Sequence, residues 1–303
     1  WSIWSYKKRG IFNFVMHFAL RAIYFIIVPI LVYAAVFRIH FLILNETGTG
    51  DAQMSSLFQA SLKYSKISHS PIEVVYGSSV AIKNKSKHAG LLHSHIQHYP
   101  VGSLMQQVTM YYHRDQNNYW KIEKADGSVN HNALVQVQHG DRIRLNHITT
   151  NGNLRTQKIK APITKRDWEV SCTGSETVHD ENDVWIIEFK DKATASKGLQ
   201  TFFTSFRLKH AVHGCYLRYT AKQLPEWGYK QGEVTCVRES EAGNDCIWNI
   251  EENVNKRLKE PEASTYKSRF IDDFIDLNIC MYRNNNALVS DPEVNPSKLT
   301  STP

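Results

Sequence analysis

From residue 11 to residue 44 nearly every position is aliphatic or aromatic, and residues 22–37 carry no charge. Those sixteen residues would cover roughly 24 Å as a helix, less than the roughly 30 Å hydrocarbon layer of a bilayer. Continuing to Leu44 supplies the missing length and puts Arg38 and His40 near one interface, where a long cation reaches the headgroups. The pattern therefore predicts one transmembrane α-helix over 11–44. The apolar run is too long for a secretory leader, and no small-residue cleavage site follows it. Pro29 falls in mid-helix, which membrane helices tolerate when neighbours satisfy the freed carbonyl.

Beyond residue 69 the period changes from helical to alternating, as in Val80/Ile82, Ile143/Leu145 and Phe206/Leu208, the signature of half-buried strands. The alternation recurs in three copies spaced by about sixty residues. The first reads VAIKN at 80–84, LLHSH at 91–95, QQVTMY at 106–111 and NNYWKIE at 117–123. The second reads RIRLN at 142–146, NLRTQ at 153–157, WEVSC at 168–172 and NDVWIIE at 182–188. The third reads SFRLKH at 205–210, YLRYT at 216–220, GEVTC at 232–236 and CIWNIEE at 246–252. Leu92, Leu154 and Leu217 correspond, as do Val108, Val170 and Val234. Trp120, Trp185 and Trp248 are each followed two residues later by Ile122, Ile187 and Ile250.

Three strand-rich copies are too few for a propeller, and an open three-turn solenoid would expose both ends. Closing them about a pseudo-threefold axis removes the sheet edges and gathers the three Trp-x-Ile segments around one core. The expected architecture is mainly β, a β-trefoil over 70–256 with repeats at about 70–126, 132–192 and 197–256. Residues 45–69 read as a linker between helix and trefoil. Phe270, Ile271, Phe274, Ile275 and Leu277 give residues 264–282 a helical apolar spacing, which predicts a short amphipathic helix within the C-terminal segment 257–303.

The chain has 303 residues and a net charge of +7. Lys7, Lys8, Arg9, Arg21 and Arg38 supply five of those charges within residues 1–44, which contain no acid. The remainder mixes signs almost evenly, which excludes the folded basic face of a nucleic-acid protein. Basic residues before the span, against Glu46 and Asp51 after it, place the flank 1–10 in the cytoplasm and the trefoil on the far side of the membrane. Sequons at Asn45 and Asn84 agree with that side and make both candidate N-glycosylation positions. Of the five cysteines, Cys172, Cys215, Cys236, Cys246 and Cys280, an odd one is left over whatever the pairing. Without a CxxC spacing there is no sign of a structural zinc or dithiol redox motif. The chain opens at Trp1 and closes on a polar Ser/Thr/Pro stretch, so it reads as a segment of a longer polypeptide.

The first copy, with Leu92-His93-Ser94-His95, Gln106-Gln107-Val108-Thr109 and His113-Arg114-Asp115-Gln116-Asn117-Asn118-Tyr119-Trp120, resembles the MIR motifs of protein O-mannosyltransferases. Residues 50–59 (GDAQMSSLFQ) resemble the family's linker between helix and trefoil. Leu224-Pro225-Glu226-Trp227-Gly228-Tyr229, Ile247-Trp248-Asn249-Ile250-Glu251 and Met281-Tyr282-Arg283-Asn284-Asn285-Asn286-Ala287 look like its animal type-two subunit. Met105-Gln106-Gln107 departs from the three glutamines usual there. The resemblance implies a multi-pass enzyme of the endoplasmic reticulum membrane. It would move mannose from dolichyl-phosphate-mannose to Ser or Thr hydroxyls of proteins and pair with a type-one subunit as a heteromer. It also implies that the catalytic Asp-Glu pair lies on a lumenal loop outside this chain, so no catalytic residue and no cofactor is assigned here. A stand-alone MIR protein that binds glycans or peptides as a folding factor is the alternative, and the upstream span argues against it.

The first copy concentrates His93, His95, Gln106, Gln107, His113, Asp115, Asn117 and Asn118, side chains able to make the directed hydrogen bonds that sugars or backbone amides require. They are the candidate ligand-binding set for acceptor proteins or glycans, against the alternative that they cap turns and satisfy buried backbone. His93 corresponds to Arg155 and Arg218, which predicts a polar, solvent-facing position in all three copies. His93, His95 and His113 lack a carboxylate or thiolate in register to complete a metal site. Asp51, close to the end of the membrane helix, is the candidate for a position near the lipid-linked donor.

Overall fold

The computed structural model describes residues 10–48, 51, 54–86, 89–128, 133–191 and 196–261. The expected helix at 264–282 and Cys280 lie outside them. The described residues form two compact units, one built on the N-terminal helix together with residues 62–64 and one holding the rest.

In the first unit, α1 (Ile11–Ala22) and α2 (Val28–Ile43) are joined by a single π-helical stretch, Ile23–Ile27. The cause is Pro29, one residue into α2, which has no N–H and whose ring clashes with the carbonyl four residues back. A wider turn relieves that clash without breaking the helix. Residues Phe12–His40 have a mean hydropathy of 2.3 over their most apolar window, enough in length and composition to cross a membrane. Just past the helix, Lys63 pairs with the strand-like residues 45–47, its N–H donating to Asn45 O (2.8 Å) and its carbonyl accepting from Thr47 N (3.0 Å).

The second unit is the expected trefoil. Six strands close a barrel in the order β1 (Ser79–Asn84), β4 (Tyr119–Lys124), β5 (Arg142–His147), β8 (Trp185–Phe189), β9 (Phe206–His210) and β12 (Trp248–Val254), which returns to β1. Every barrel pairing is antiparallel. The hairpins β2–β3 (Leu91–His98, Gln106–Tyr111), β6–β7 (Asn153–Lys160, Trp168–Thr173) and β10–β11 (Tyr216–Gln223, Gly232–Val237) cap one end. There β3, β7 and β11 also pair with one another.

The three tryptophans stand in equivalent surroundings, each fully buried. Trp120 Nε1 donates to Leu92 O (2.9 Å), Trp185 Nε1 to Leu154 O (2.9 Å) and Trp248 Nε1 to Leu217 O (3.0 Å). A buried indole N–H left without an acceptor would cost about 1–3 kcal/mol, so this bond fixes the register of each barrel strand against its own hairpin. Val80, Ile82, Ile143, Leu145, Phe206 and Leu208 fill the same core from the alternating strands.

A second repeated bond joins neighbouring copies. At the last position of the first strand in each copy, Asn84 Nδ2 donates to Asp245 O (2.8 Å), His147 Nε2 to Asn117 O (2.9 Å) and His210 Nε2 to Asn182 O (2.8 Å). Each acceptor lies in the turn three residues before a core tryptophan. The other ring nitrogens accept: Thr150 Oγ1 donates to His147 Nδ1 (2.8 Å), and the His213 N–H donates to His210 Nδ1 (3.1 Å). Both imidazoles are therefore neutral, and burial, the largest cause, holds each down at about 4.

Of the stretch 45–69 expected as a linker, residues 54–61 and 65–69 belong to this unit. The helix α3 (Ser56–Ser61) and the 3-10 turn Lys66–His69 bury Leu57, Ala60 and Ile67 against Phe202, with Ile72 and Phe203 alongside. Cys215 and Cys236 form a disulfide across the third hairpin, while Cys172 and Cys246 are buried free thiols.

Two outcomes test this frame. In the unfolded chain both histidines protonate near pH 6.5, in the folded chain near 4, so stability is full above that window and falls as pH drops through it. Calorimetry should show Tm declining between about pH 7 and about pH 4, and less so in His210→Asn, which copies Asn84; a flat Tm contradicts the clasp. Separately, Gly152 and Cys172 stand where Cys215 and Cys236 stand in the third copy, and a Cβ at Gly152 would lie 3.2 Å from Cys172 Cβ. Oxidised Gly152→Cys should form a 152–172 crosslink detectable by mass spectrometry and gain about 2–3 kcal/mol, lost on reduction.

Candidate functional site

Each copy places a basic side chain on its second strand opposite the turn before its tryptophan, and the three differ in what they do with it. In the second copy Arg155 Nη2 meets Asp180 Oδ2 at 3.1 Å and Arg155 Nε lies 3.7 Å from Asp183 Oδ1. In the third, Arg218 Nε donates to Asp245 Oδ2 (2.6 Å) and Nη1 to Asp167 Oδ2 (3.3 Å). Both positions are closed by internal ion pairs.

The first copy has His93 there, and the structure corrects the expectation of a solvent-facing side chain: His93 is 2% exposed and His95 8%. His93 Nδ1 donates to Asn118 Oδ1 (2.8 Å), an oxygen that can only accept. Burial lowers the proton affinity of His93, and Asn118 and Asp115 oppose that only in part. A neutral ring leaves the Asp115 carboxylate, 3.6 Å away and 40% exposed, without a cation of its own copy. That carboxylate caps the 3-10 turn Gln116–Asn118 by accepting from Asn117 N (2.8 Å), and Asn118 Nδ2 donates to His113 O (2.9 Å).

Aromatic rings run through this site in file. Tyr229 meets His95 at 5.4 Å between centroids, His95 meets His93 at 5.5 Å, His93 meets Tyr111 at 4.9 Å and Tyr111 meets His113 at 5.4 Å. Tyr229 is 57% exposed and His113 also reaches solvent, while the two central histidines are buried. Neither ring nitrogen of His95 has a partner in hydrogen-bond geometry. Its proton affinity is lowered by burial first and by His93 second, with Gln231 acting the other way. Tyr229 and its neighbour Lys230 both hold left-handed backbone, with φ of 54° and 55°. Non-glycine residues in that region are costly, and the strain here aims Tyr229 from the third copy over the first.

The remaining candidates divide. Gln107 backs the site: its Nε2 donates to His98 O (2.7 Å) and Trp227 O (3.4 Å), and its buried Oε1 has no partner. Asn117 contributes its backbone to the turn and to the His147 clasp. Gln106 does not join; its Nε2 donates to Ser94 Oγ and Thr150 Oγ1 (both 2.7 Å), tying the first copy to the second. The Asp51 carbonyl accepts from Met54 N (2.8 Å). Among the described residues no group of three or more His, Cys, Asp or Glu is arranged to hold a metal ion.

The two sequons also part. Asn45 is half-buried after the end of α2, with its amide donating to Leu42 O (3.1 Å). Asn84 is 1% exposed and its Nδ2 is spent in the clasp to Asp245 O, so a glycan on that nitrogen is incompatible with the trefoil. Tyr229 was not among the sequence candidates, because it sits in another copy and only the closed barrel brings it to His95.

With this geometry in hand, comparison with known proteins is direct. The MIR domain family model matches residues 90–248. The chain is 40% identical over 306 residues to dolichyl-phosphate-mannose–protein mannosyltransferase 2 of Candida albicans, matching 97% of this chain and 40% of that protein. It is 34% identical over 295 residues to protein O-mannosyl-transferase 2 of Danio rerio, matching 95% of this chain and 39% of that protein. Among solved structures, the Saccharomyces cerevisiae Pmt1–Pmt2 complex bound to the sugar donor superposes with a TM-score of 0.71 at 32% identity over 93% of this chain and 39% of that one. The SDF2-like protein of Arabidopsis thaliana gives 0.55 at 31% identity over 62% of this chain and 100% of that one. The chain thus spans about two-fifths of the length of these mannosyltransferases. A threefold barrel with the MIR pattern, preceded by an apolar helix and alike over nearly its whole length to one set of enzymes, belongs to the MIR domain family and is a homologue of the protein O-mannosyltransferases.

Proposed function

We propose that this chain is the membrane-anchored recognition region of a protein O-mannosyltransferase subunit, with its trefoil in the lumen of the endoplasmic reticulum. The whole enzyme would transfer mannose from dolichyl-phosphate-mannose to Ser or Thr hydroxyls, and would work as a heteromer with a type-one subunit. The fungal and animal relatives and the likeness to the Pmt1–Pmt2 complex support that reading. The hydroxyl is a poor nucleophile, and its activation needs a carboxylate base and cations for the departing phosphate. Those groups belong to other parts of the enzyme, and this chain supplies binding. Asp51, following the membrane helix, would stand on the side of the bilayer where the lipid-linked donor presents its sugar.

One observation carries the role of the trefoil. Two copies neutralise their acidic turn with an arginine, buried at Arg155 and half-buried at Arg218, and the first does not, leaving Asp115 half-exposed beside a buried neutral histidine in a file of aromatic rings whose ends, Tyr229 and His113, reach solvent. A carboxylate accepts hydrogen bonds from vicinal hydroxyls or peptide amides, and ring faces pack against the apolar side of a sugar or a peptide chain. Acceptor polypeptides, bare or already mannosylated, fit that chemistry.

The test is titration of the chain in lipid nanodiscs with a Ser/Thr-rich peptide and with its mannosyl-threonine counterpart. Asp115→Asn should weaken binding of one or both about tenfold, the worth of one charge-assisted hydrogen bond, while Tm stays within about 2 °C of the parent. Asp245→Asn, which breaks the closed third-copy pair, should lower Tm and leave affinity unchanged. Equal binding by the parent and Asp115→Asn would remove the first copy as the recognition site.

A further inference from the structure

Arg114 lies between His113 and Asp115 in the turn of the first copy, yet its guanidinium reaches neither. Its Nη2 donates to Gln59 Oε1 (3.0 Å) on α3 and to Glu251 Oε1 (2.7 Å) on β12, and its Nη1 lies 3.9 Å from Glu252 Oε2. Glu251, with a side chain only 3% exposed, takes a second cation from Lys83 Nζ at 3.3 Å. Gln59 is itself fixed, its Nε2 donating to Met54 O (2.9 Å) while Leu57 and Ala60 bury beside it. A continuous polar path thus runs from the segment that follows the membrane helix to the turn that carries Asp115.

Pseudo-symmetry shows that the barrel has no need of this arm. The position six residues before each core tryptophan is Arg114 in the first copy, His179 in the second and Ala242 in the third, with the same turn, clasp and indole bond in place. A trefoil copy folds without an arginine there. The first copy alone combines the arginine, the docked helix α3 and an acidic turn left open by its own second strand.

We propose that Arg114 is a positioning residue that couples α3 to the recognition turn of the first copy, so that the seating of α3 sets how Asp115 is presented. The turn is held on one flank by the second copy, through His147 Nε2 to Asn117 O (2.9 Å) and Thr149 Oγ1 to Gln116 O (3.2 Å). Its other flank is held by Arg114 together with the bond from His93 Nδ1 to Asn118 Oδ1 (2.8 Å). Freed of Gln59, the arginine keeps Glu251 but loses its tie to α3, and the turn gains freedom while the barrel keeps its bonds. That the turn recognises a ligand rests on the function proposed above; the mechanical coupling does not.

Hydrogen exchange of the whole chain in lipid nanodiscs tests it without any ligand. In Gln59→Leu and in Arg114→Ala, which installs the residue of the third copy, exchange across residues 113–119 should rise about tenfold, while residues 120–122, 185–187 and 248–250 keep parental protection. Arg114→Lys, which keeps the charge but not the fork, should fall between parent and alanine. Unchanged exchange at 113–119 in Gln59→Leu overturns the coupling, and so does an equal rise at the three tryptophan strands, which would mean general loosening. If exchange changes as expected while Asp115→Asn leaves the mannosyl-threonine peptide binding intact, the coupling stands and the proposed recognition role fails.

Discussion

The bond from each core indole to the leucine carbonyl of its own hairpin is what the rest of this molecule depends on. It is made three times with the same partners at 2.9–3.0 Å, by indoles fully buried from solvent. In such surroundings an unpaired donor is expensive, so the hairpin and barrel strand of each copy cannot slip relative to one another. A second repeated bond then hands the turn before each tryptophan to the next copy around the axis, through Asn84, His147 or His210. Closure is therefore cooperative: no turn is finished until the neighbouring copy has folded. The turns inherit that rigidity, which is what a recognition surface requires.

On this common frame the three copies have taken different electrostatic solutions. Arg155 and Arg218 answer their acids with partly buried ion pairs, an arrangement whose gain over apolar packing is small but whose one-sided loss is severe. The first copy uses a neutral histidine bonded to Asn118 and leaves its acid facing outward. A charge without a resident partner is tolerable only at the surface, and Asp115 is there. The exposed, strained Tyr229 and the unpartnered ring of His95 mark the same seam between the first and third copies.

The helix α3 and the turn Lys66–His69 are tied to the trefoil by apolar burial, and α3 also by Arg114. Leu57, Ala60 and Ile67 bury their apolar side chains against Phe202, with Ile72 and Phe203 alongside. The membrane helix answers a different solvent. Its large apolar side chains are exposed along its length, and its π-helical stretch is the local consequence of one proline.

Threefold repetition, strand period and the tryptophan register are local or additive properties of sequence, and so the barrel, the core leucines and valines, and the apolar helix were all legible from residue order alone. What sequence left undetermined is where a polar side chain ends when a closed barrel has neighbours on every side. His93 reads as polar and outward by comparison with Arg155 and Arg218, but all three are drawn inward, because each finds a partner in the turn that closure brings beside it. Asn84 reads as a glycan acceptor and is a buried clasp, for its partner lies 161 residues away. Residues 45–69 read as a linker between helix and trefoil, and only the folded chain brings Phe202 to Leu57, Ala60 and Ile67 within it. Patterning fixes which residues must leave water. The tertiary structure decides which polar groups must follow them inside, since that depends on hydrogen-bond partners that meet only once the chain has closed on itself.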